Sequence, residues 1–208
     1  MRPSRELLIL LCATLVGCAP DAARSGNDRG YRGVVIPEPR AKPAFTLTDT
    51  RGEPFDFRER TRGYLTLVFF GYTYCPDICP VTMANLGAVM RELRPSVSRR
   101  IRVVFVTTDP ARDTPERLGR WLRNFHPNFI GLTGDFDRIN EIQQTMGLPP
   151  AQLGVPDSAT GSYLVGHSAY VVAFTPDGLG RVLYPFGTRQ VDWAHDLPKL
   201  LEDEWDDS

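Results

Sequence analysis

Two cysteines, Cys75 and Cys79, stand close together in the segment Phe-Phe-Gly-Tyr-Thr-Tyr-Cys-Pro-Asp-Ile-Cys-Pro, which starts at residue 69. Proline is poorly tolerated deep inside a helix, so Pro80 predicts a helix that begins at or near it. Unpaired backbone N–H groups and the macrodipole at a helix N-terminus favour a thiolate. A thiolate can bind a soft metal and can also attack a disulfide, so the motif alone suits both chemistries.

The spacing of the pair and a distant histidine favour metal binding. Dithiol oxidoreductases commonly have two residues between their cysteines, whereas this chain has three. His167 is the best candidate for a third ligand, because imidazole and thiolate both suit copper or zinc. Closed zinc sites need four protein ligands, and a site with two sulfurs and one nitrogen fits copper(I). The residues therefore favour a copper site at Cys75 and Cys79 with His167 as the candidate third ligand, although a lone histidine is more often structural, and the two cysteines are also a candidate redox-active pair.

Composition narrows the class of protein. The chain has 208 residues, of which 42% are apolar, so one domain can build its core without cross-links. A single cysteine pair in such a domain indicates a reactive or metal-binding site rather than a structural disulfide. The formal net charge of −1 lacks the basic excess of a nucleic-acid binder. No stretch of the sequence approaches the length of an apolar membrane-spanning helix.

The residues on either side of the motif indicate how it is positioned. Residues 64–70 are a continuous β-prone apolar run, which is typical of a strand buried on both faces. The apolar residues after the motif are spaced as one helical face: Leu86, Val89, Met90 and Leu93. The cysteines are therefore predicted to lie in the turn between a buried strand and a helix.

The remaining elements alternate between strands and helices. A hairpin is predicted over residues 44–57, and a second buried strand over 101–107. Asp113 or Thr114 can cap the next helix. Further strands and helices are predicted at 129–132, 136–146, 167–174, 181–184 and 191–204. This order predicts an α/β fold, a thioredoxin-like mixed sheet flanked by helices with an N-terminal hairpin.

The N-terminus predicts export and a lipid anchor. Arg2 and Arg5 precede a short apolar stretch, as in a secretory signal. The ending Leu-Val-Gly-Cys resembles a bacterial lipobox, which implies that residues 1–17 are a lipoprotein signal peptide and that the Cys18 thiol is acylated. The protein is then extracytoplasmic, on the periplasmic side, and anchored to a bacterial membrane. The alternative is an ordinary signal peptide that contains a cysteine.

The segment after the predicted cleavage site differs in composition from the rest. Residues 18–42 are polar and rich in Gly, Pro and Arg. Such a segment buries too little apolar surface to offset the loss of chain entropy, which predicts a flexible tether. A thioredoxin-like copper-binding domain is then expected over residues 43–208.

Three segments, in order, resemble the SenC/SCO family: GYTYCPDICP around the cysteines, DPARDTPERL from residue 109, and GHSAYVVAFTPDG from residue 166. The resemblance covers essentially the whole predicted domain. It implies a thioredoxin fold, copper bound by Cys75, Cys79 and His167, and a role in assembling the dinuclear copper site of cytochrome c oxidase subunit II. Both copper delivery and thiol reduction of the recipient site are assigned to the family, so a periplasmic thiol reductant is a further candidate partner.

Two other functions stay open at this point. A thiol-disulfide reductase acting on the oxidase cysteines would use Cys75 and Cys79 without metal, and it has no evident use for His167. A peroxide-reducing thiol enzyme needs a hydrogen-bonded pocket around one cysteine of low pKa. The pattern Pro-x-x-x-Thr-x-x-Cys of such enzymes does not precede Cys75. The reductase is therefore the main alternative to a copper metallochaperone.

Several further residues are secondary candidates. Many members of the family have Asp immediately before the histidine, where this chain has Gly166. Asp77 is a candidate fourth ligand, although an acid in the first turn of a helix also favours the helix dipole. The resemblance implies that Asp109, Arg112 and Asp113 line the site. His126 and His195 are predicted to lie on the surface, and Met83 is predicted to pack in the core.

Overall fold

A central sheet with helices on both faces forms the fold. The computed structural model describes residues 29–203, so the predicted signal peptide, Cys18 and residues 204–208 lie outside the described residues. The strands are β1 (Val34–Ala41), β2 (Thr46–Asp49), β3 (Pro54–Asp56), β4 (Leu65–Gly71), β5 (Ile101–Thr107), β6 (Ile130–Thr133), β7 (Gln152–Leu153), β8 (Val165–Gly166), β9 (Tyr170–Phe174) and β10 (Leu179–Pro185). The helices are α1 (Phe57–Arg60), α2 (Ile78–Glu92), α3 (Pro95–Ser98), α4 (Pro115–Arg123), α5 (Phe136–Thr145) and α6 (Gln190–Glu202). Within this part of the chain, none of the helices is long and apolar enough to cross a membrane.

The main sheet contains strands of both directions. Its order is β1-β10-β9-β4-β5-β6-β2-β3. β4, β5 and β6 pair in parallel, and the other neighbours pair antiparallel. β7 and β8 form a separate short antiparallel hairpin. The predicted mixed sheet and its N-terminal hairpin, β2–β3, are confirmed.

The central strand β4 is buried on both faces. Successive side chains of a strand point to opposite faces of the sheet. Leu65, Leu67 and Phe69 therefore enter the core that α2, α4 and α6 cover. Val68 and Phe70 enter the core on the opposite face, beneath α5. The loop with the two cysteines thus leaves the sheet from its most deeply packed strand.

Most predicted elements lie close to their observed bounds, and one differs at its start. The run predicted as a strand at 167–174 begins only at Tyr170, and His167 lies in the connection between β8 and β9. The His167 ring binds the carbonyl of Ser168. Because the Ser168 carbonyl accepts this side-chain hydrogen bond, it is not used in the sheet, and the strand pairs with its neighbours only from Tyr170 onward.

The predicted tether is wrong for its second half. Val34–Ala41 form β1, which pairs antiparallel with β10 at the edge of the sheet. Tyr31, just before it, is already buried in the core. Most side chains of β1 are exposed, so the strand needs no apolar pattern and is held by backbone hydrogen bonds that composition does not reveal. Residues 18–28 lie outside the described residues.

Asp196 on α6 anchors the segment that leads into β1. Its fully buried carboxylate accepts hydrogen bonds from the backbone N–H groups of Arg32 and Gly33, at 2.9 to 3.0 Å. The Tyr184 hydroxyl on β10 donates to the same carboxylate at 3.0 Å. One side chain therefore joins the N-terminal segment, the sheet edge and the last helix.

We expect Asp196→Ala to lower the free energy of unfolding by about 2 to 4 kcal/mol, because buried donors would lose their acceptor. Urea unfolding followed by circular dichroism measures the change. Glu202→Ala, exposed on the same helix, is the matched control and should stay within about 0.5 kcal/mol of the parent chain. Equal stability of the two variants would contradict the anchoring role.

Candidate metal centre

The two cysteines lie where β4 passes into α2. In the turn after β4 the Cys75 N–H donates to the carbonyl of Tyr72 at 3.2 Å. α2 begins at Ile78, so Cys79 lies in its first turn and Pro80 is its third residue. The first four N–H groups of a helix have no partner within it, which makes proline acceptable there. The predicted start of the helix near Pro80 is confirmed.

The structure brings the three predicted ligands together. One potential donor atom from each of Cys75, Cys79 and His167 lies within 4.8 Å of the other two. Cys79 Sγ is 3.4 Å from His167 Nε2, and the Cys79 N–H donates to Cys75 Sγ at 3.4 Å. Metal bonds to sulfur and nitrogen are about 2.0 to 2.3 Å long, so donors that share one ion lie within roughly 4.5 Å of each other. The three atoms are thus near the spacing of a single coordination sphere.

His167 presents one defined ring nitrogen to the sulfurs. Its Nδ1 lies 2.9 Å from the carbonyl oxygen of Ser168, and because a carbonyl accepts, Nδ1 carries the hydrogen. In the neutral ring, Nε2 then has a free lone pair directed at Cys79. Phe69 and Tyr72 meet the ring edge-on, with centroid distances of 5.9 and 5.7 Å. The imidazole is therefore held with its free nitrogen toward the cysteines.

The two sulfurs differ in accessibility. Cys79 is fully buried, whereas Cys75 is half-buried. A Cβ atom added to Gly71 would lie 2.6 Å from Cys79 Sγ. Glycine at the end of β4 therefore leaves the space that the Cys79 sulfur occupies. A reagent or partner reaches Cys75 first.

The two thiols have opposite pKa shifts. Hydrogen bonding with Cys79, supported by backbone N–H groups, lowers the pKa of Cys75 to about 3. Burial raises the pKa of Cys79 well above its ordinary value, and the neighbouring Cys75 sulfur adds to this effect. At neutral pH the pair therefore holds one proton, on Cys79. The predicted thiolate is therefore the more accessible Cys75, while for Cys79, inside the first turn of the helix, burial outweighs the effect of the helix end.

Asp113 has a different role from the helix cap considered for it. Thr114 is the N-cap of α4, and its hydroxyl accepts from the Arg117 N–H at 3.3 Å. The fully buried Asp113 carboxylate accepts from the Thr73 N–H at 2.9 Å, and from the hydroxyls of Thr73 and Thr107. It thus ties the cysteine loop to the end of β5. No local pattern could have revealed this bond, because it spans 40 positions of sequence.

Asp109 and Arg112 support the site from outside the group of three donors. Asp109 is buried and pairs with Arg112. It also accepts a hydrogen bond from the Tyr163 hydroxyl at 2.9 Å. Tyr163 lies four residues before His167, and sequence reasoning did not single it out. Both family-implied residues therefore contact the segment that leads to the histidine.

The other secondary candidates lie outside the donor group. Asp77 is the exposed N-cap residue of α2 and belongs to no cluster of metal donors found within residues 29–203. A Cβ on Gly166 would be 3.8 Å from the Gln152 carbonyl oxygen, so packing would also admit a larger residue there. Met83 is buried in the core, as predicted. His195 is exposed on α6, and His126 is half-buried in the loop before β6.

Several known proteins are similar to this chain. The SCO1/SenC family model matches residues 35–202. A protein of Stutzerimonas stutzeri that is named for copper binding is 35% identical over 207 residues, with 96% of each chain covered.

Solved structures extend the similarity to the fold. The solution structure of apo Sco1 from Thermus thermophilus has a TM-score of 0.72 at 32% identity, and the match covers 82% of this chain and 97% of that one. The structure of Bradyrhizobium japonicum ScoI with copper bound has a TM-score of 0.68 at 30% identity, and covers 77% and 99%. These matches confirm the predicted thioredoxin-like arrangement.

In the reduced, metal-free protein we expect iodoacetamide to modify Cys75 at a rate nearly independent of pH between about 5 and 8, since a thiol with a pKa of about 3 is ionised throughout. Cys79 should stay unmodified until the protein unfolds. Mass spectrometry of the peptides gives both rates.

Cys75→Ser is the control for the alkylation experiment, because it leaves Cys79 as the remaining thiol of the pair. A Cys75 rate that rises with a midpoint near the ordinary thiol pKa of about 8.5 would contradict the assignment of the thiolate.

Proposed function

The chain belongs to the SCO1/SenC family, and we propose that it is a copper metallochaperone that binds copper through Cys75, Cys79 and His167. The observation that carries the proposal is the 3.4 Å approach of His167 Nε2 to Cys79 Sγ, with Cys75 in the same group. The histidine and Cys79 are 88 positions apart in sequence. A dithiol enzyme without metal has no evident use for an imidazole held in this orientation.

Copper is the cargo that this donor set suits. Thiolate sulfur selects copper(I), zinc or iron–sulfur clusters, and imidazole suits copper and zinc. A closed zinc site needs a fourth protein ligand, whereas the cluster found within the described residues has three members. The copper-bound structure of the similar Bradyrhizobium japonicum ScoI supports the same choice.

The cysteine pair would make copper binding depend on redox state. Metal binding requires thiolates, so Cys79 would lose its remaining proton when its sulfur binds copper. Oxidation of Cys75 and Cys79 to a disulfide removes two electrons and both thiolates, which leaves His167 as a single donor of the three. A dithiol–disulfide cycle would then control copper uptake, with a periplasmic thiol as the external reductant.

The recipient that we propose is the dinuclear copper site of cytochrome c oxidase subunit II, which the family resemblance implies. We further propose that the protein lies outside the cytoplasm, on the periplasmic side, and is held to a bacterial membrane by acylated Cys18; the resemblance of its N-terminus to a lipobox supports this. The half-buried Cys75 is the sulfur that an incoming recipient ligand would reach first. Copper would then pass to the recipient by exchange of ligands at the accessible side of the site.

A thiol-disulfide reductase acting on the oxidase cysteines is the second candidate, and the lowered pKa of the accessible Cys75 supports it. In this reaction Cys75 attacks a recipient disulfide, forming a mixed disulfide and releasing one recipient thiolate. Cys79 then loses its proton and attacks the Cys75 sulfur. The second recipient thiol leaves, and the two electrons come from the pair, which ends as a disulfide.

His167→Ala separates the two functions. We expect copper(I) affinity to fall by more than the roughly 10- to 100-fold loss typical of substitutions in an outer shell, because a ligand is removed. Disulfide reduction should stay within a few-fold of the parent, because the Cys75 thiolate depends mainly on Cys79. Competition with a copper(I) chelator measures the affinity, and reduction of a model disulfide measures the second activity.

His126→Ala is the matched control. β6 runs parallel to β5 and β4, and His126 precedes β6, so it lies at the opposite end of these strands from the cysteine loop. A preformed Cys75–Cys79 disulfide should abolish copper binding in both backgrounds. Unchanged copper affinity in His167→Ala would rule out the histidine as a ligand. Loss of copper with normal assembly of the oxidase copper site in cells would favour the reductase.

The anchor is tested at Cys18. Cys18→Ser should leave an unprocessed precursor without lipid, because the proposed acyl chain is attached to this thiol and cleavage depends on the lipobox. Intact mass and the N-terminal sequence of the membrane fraction report the outcome. Cys12→Ser is the matched control within the signal peptide and should leave processing unchanged. A mature N-terminus elsewhere, without lipid mass, would contradict the anchor.

A further inference from the structure

The loop between β5 and α4 contacts both halves of the candidate site. On one side, Asp113 accepts hydrogen bonds from Thr73 in the cysteine loop. From the first turn of α4, Arg117 donates to the Thr73 hydroxyl at 2.8 Å, and its guanidinium carbon lies 3.9 Å from the ring centre of Tyr74. The position of the cysteine loop is therefore set by this neighbour as well as by β4.

On the other side, the same loop contacts the hairpin β7–β8 that leads into His167. Each strand of this hairpin has two residues, and Gly154 N–H donates to the carbonyl of Leu164 at 2.8 Å. Two apolar side chains in the segment that joins its strands are exposed, 93% for Val155 and 63% for Leu164. An isolated two-stranded hairpin is marginally stable in water. Its position therefore depends on contacts with the rest of the domain.

Arg112 and Tyr163 supply a polar contact of this kind. The guanidinium carbon of Arg112 lies 3.6 Å from the ring centre of Tyr163, and Arg112 Nη2 donates to the Tyr163 carbonyl at 3.0 Å. The Tyr163 hydroxyl donates to Asp109 at 2.9 Å, and Asp109 also pairs with Arg112 Nε. Three residues thus close a ring of contacts between the hairpin and the β5–α4 loop.

The same guanidinium also lies beside the cysteine loop. Its carbon is 4.7 Å from the ring centre of Tyr74 and 5.9 Å from that of Tyr72. Tyr72 in turn contacts the His167 ring edge-on. Arg112 is therefore a planar spacer between the segment with the thiolate and the segment with the imidazole, a geometry that a lysine ammonium cannot reproduce.

We propose that Arg112 and Tyr163 are positioning residues for His167, and that their contact holds the hairpin where Nε2 meets the sulfurs. Neither residue belongs to the donor group. The effect on copper rests on the proposed function. The effect on the hairpin does not, because it exists in the metal-free protein.

The test uses three variants of the reduced chain. Tyr163→Phe removes the hydroxyl and keeps the stacked ring, Arg112→Lys keeps the charge and removes the planar stack, and Arg112→Gln removes both. Arg138→Gln, whose exposed side chain pairs with Glu141 on α5, is the matched control. Unfolding in urea establishes which variants are folded.

The first measurement is made without metal. Hydrogen exchange of the Gly154 amide, followed by NMR, should become about tenfold faster in both Arg112 variants and faster in Tyr163→Phe, because the hairpin opens locally. The His167 ring resonances should shift toward those of an exposed histidine. Amides of α5 should exchange as in the parent chain.

The second measurement is copper(I) affinity, which should fall by about 10- to 100-fold in Arg112→Gln and less in Tyr163→Phe. Parent-like Gly154 exchange and parent-like His167 resonances in folded variants would overturn the proposal. So would a loosened hairpin with unchanged copper affinity. If the parent chain binds no copper while the variants still loosen the hairpin, the positioning role stands and the proposed copper function fails.

Discussion

The parallel pairing of β4 with β5 is the constraint on which the candidate site depends. The register sets Gly71 opposite Thr107, so the two strands end at the same edge of the sheet. The cysteine loop leaves one strand and the loop with Asp113 leaves the other, and the buried carboxylate joins them through Thr73. Both strands are packed on both faces, and close-packed interiors resist displacement. The cysteines therefore start from a rigid base.

The metal-free site already has much of the electrostatic arrangement that a soft cation needs. Hydrogen bonding lowers the pKa of Cys75, burial raises the pKa of Cys79, and the His167 ring is held with Nε2 toward the Cys79 sulfur. Loss of one proton completes a set of two thiolates and one imidazole. Because the Cys75 sulfur is only half-buried, a recipient protein can approach the site from the side of Cys75. The arrangement is consistent with a cargo that is bound and then released.

Much of this arrangement was predictable from local sequence. Pro80 marks the start of α2 because proline lacks the N–H that only the first turn can spare. The apolar run at 64–70 predicted β4, because a strand covered on both faces needs apolar side chains at successive positions. Cys75, Cys79 and His167 were predicted as a group from their chemistry and from a family resemblance.

Only the tertiary structure decided how these residues act, because their interactions join segments far apart in the chain. It set the 3.4 Å approach of His167 to Cys79, and it gave the thiolate to Cys75, since burial opposes charge on the other sulfur. It turned residues 34–41 from an expected tether into an edge strand, held by backbone hydrogen bonds that carry no side-chain pattern. The sequence by itself determined which atoms are available, and the packing determined which of them meet and which carries the charge.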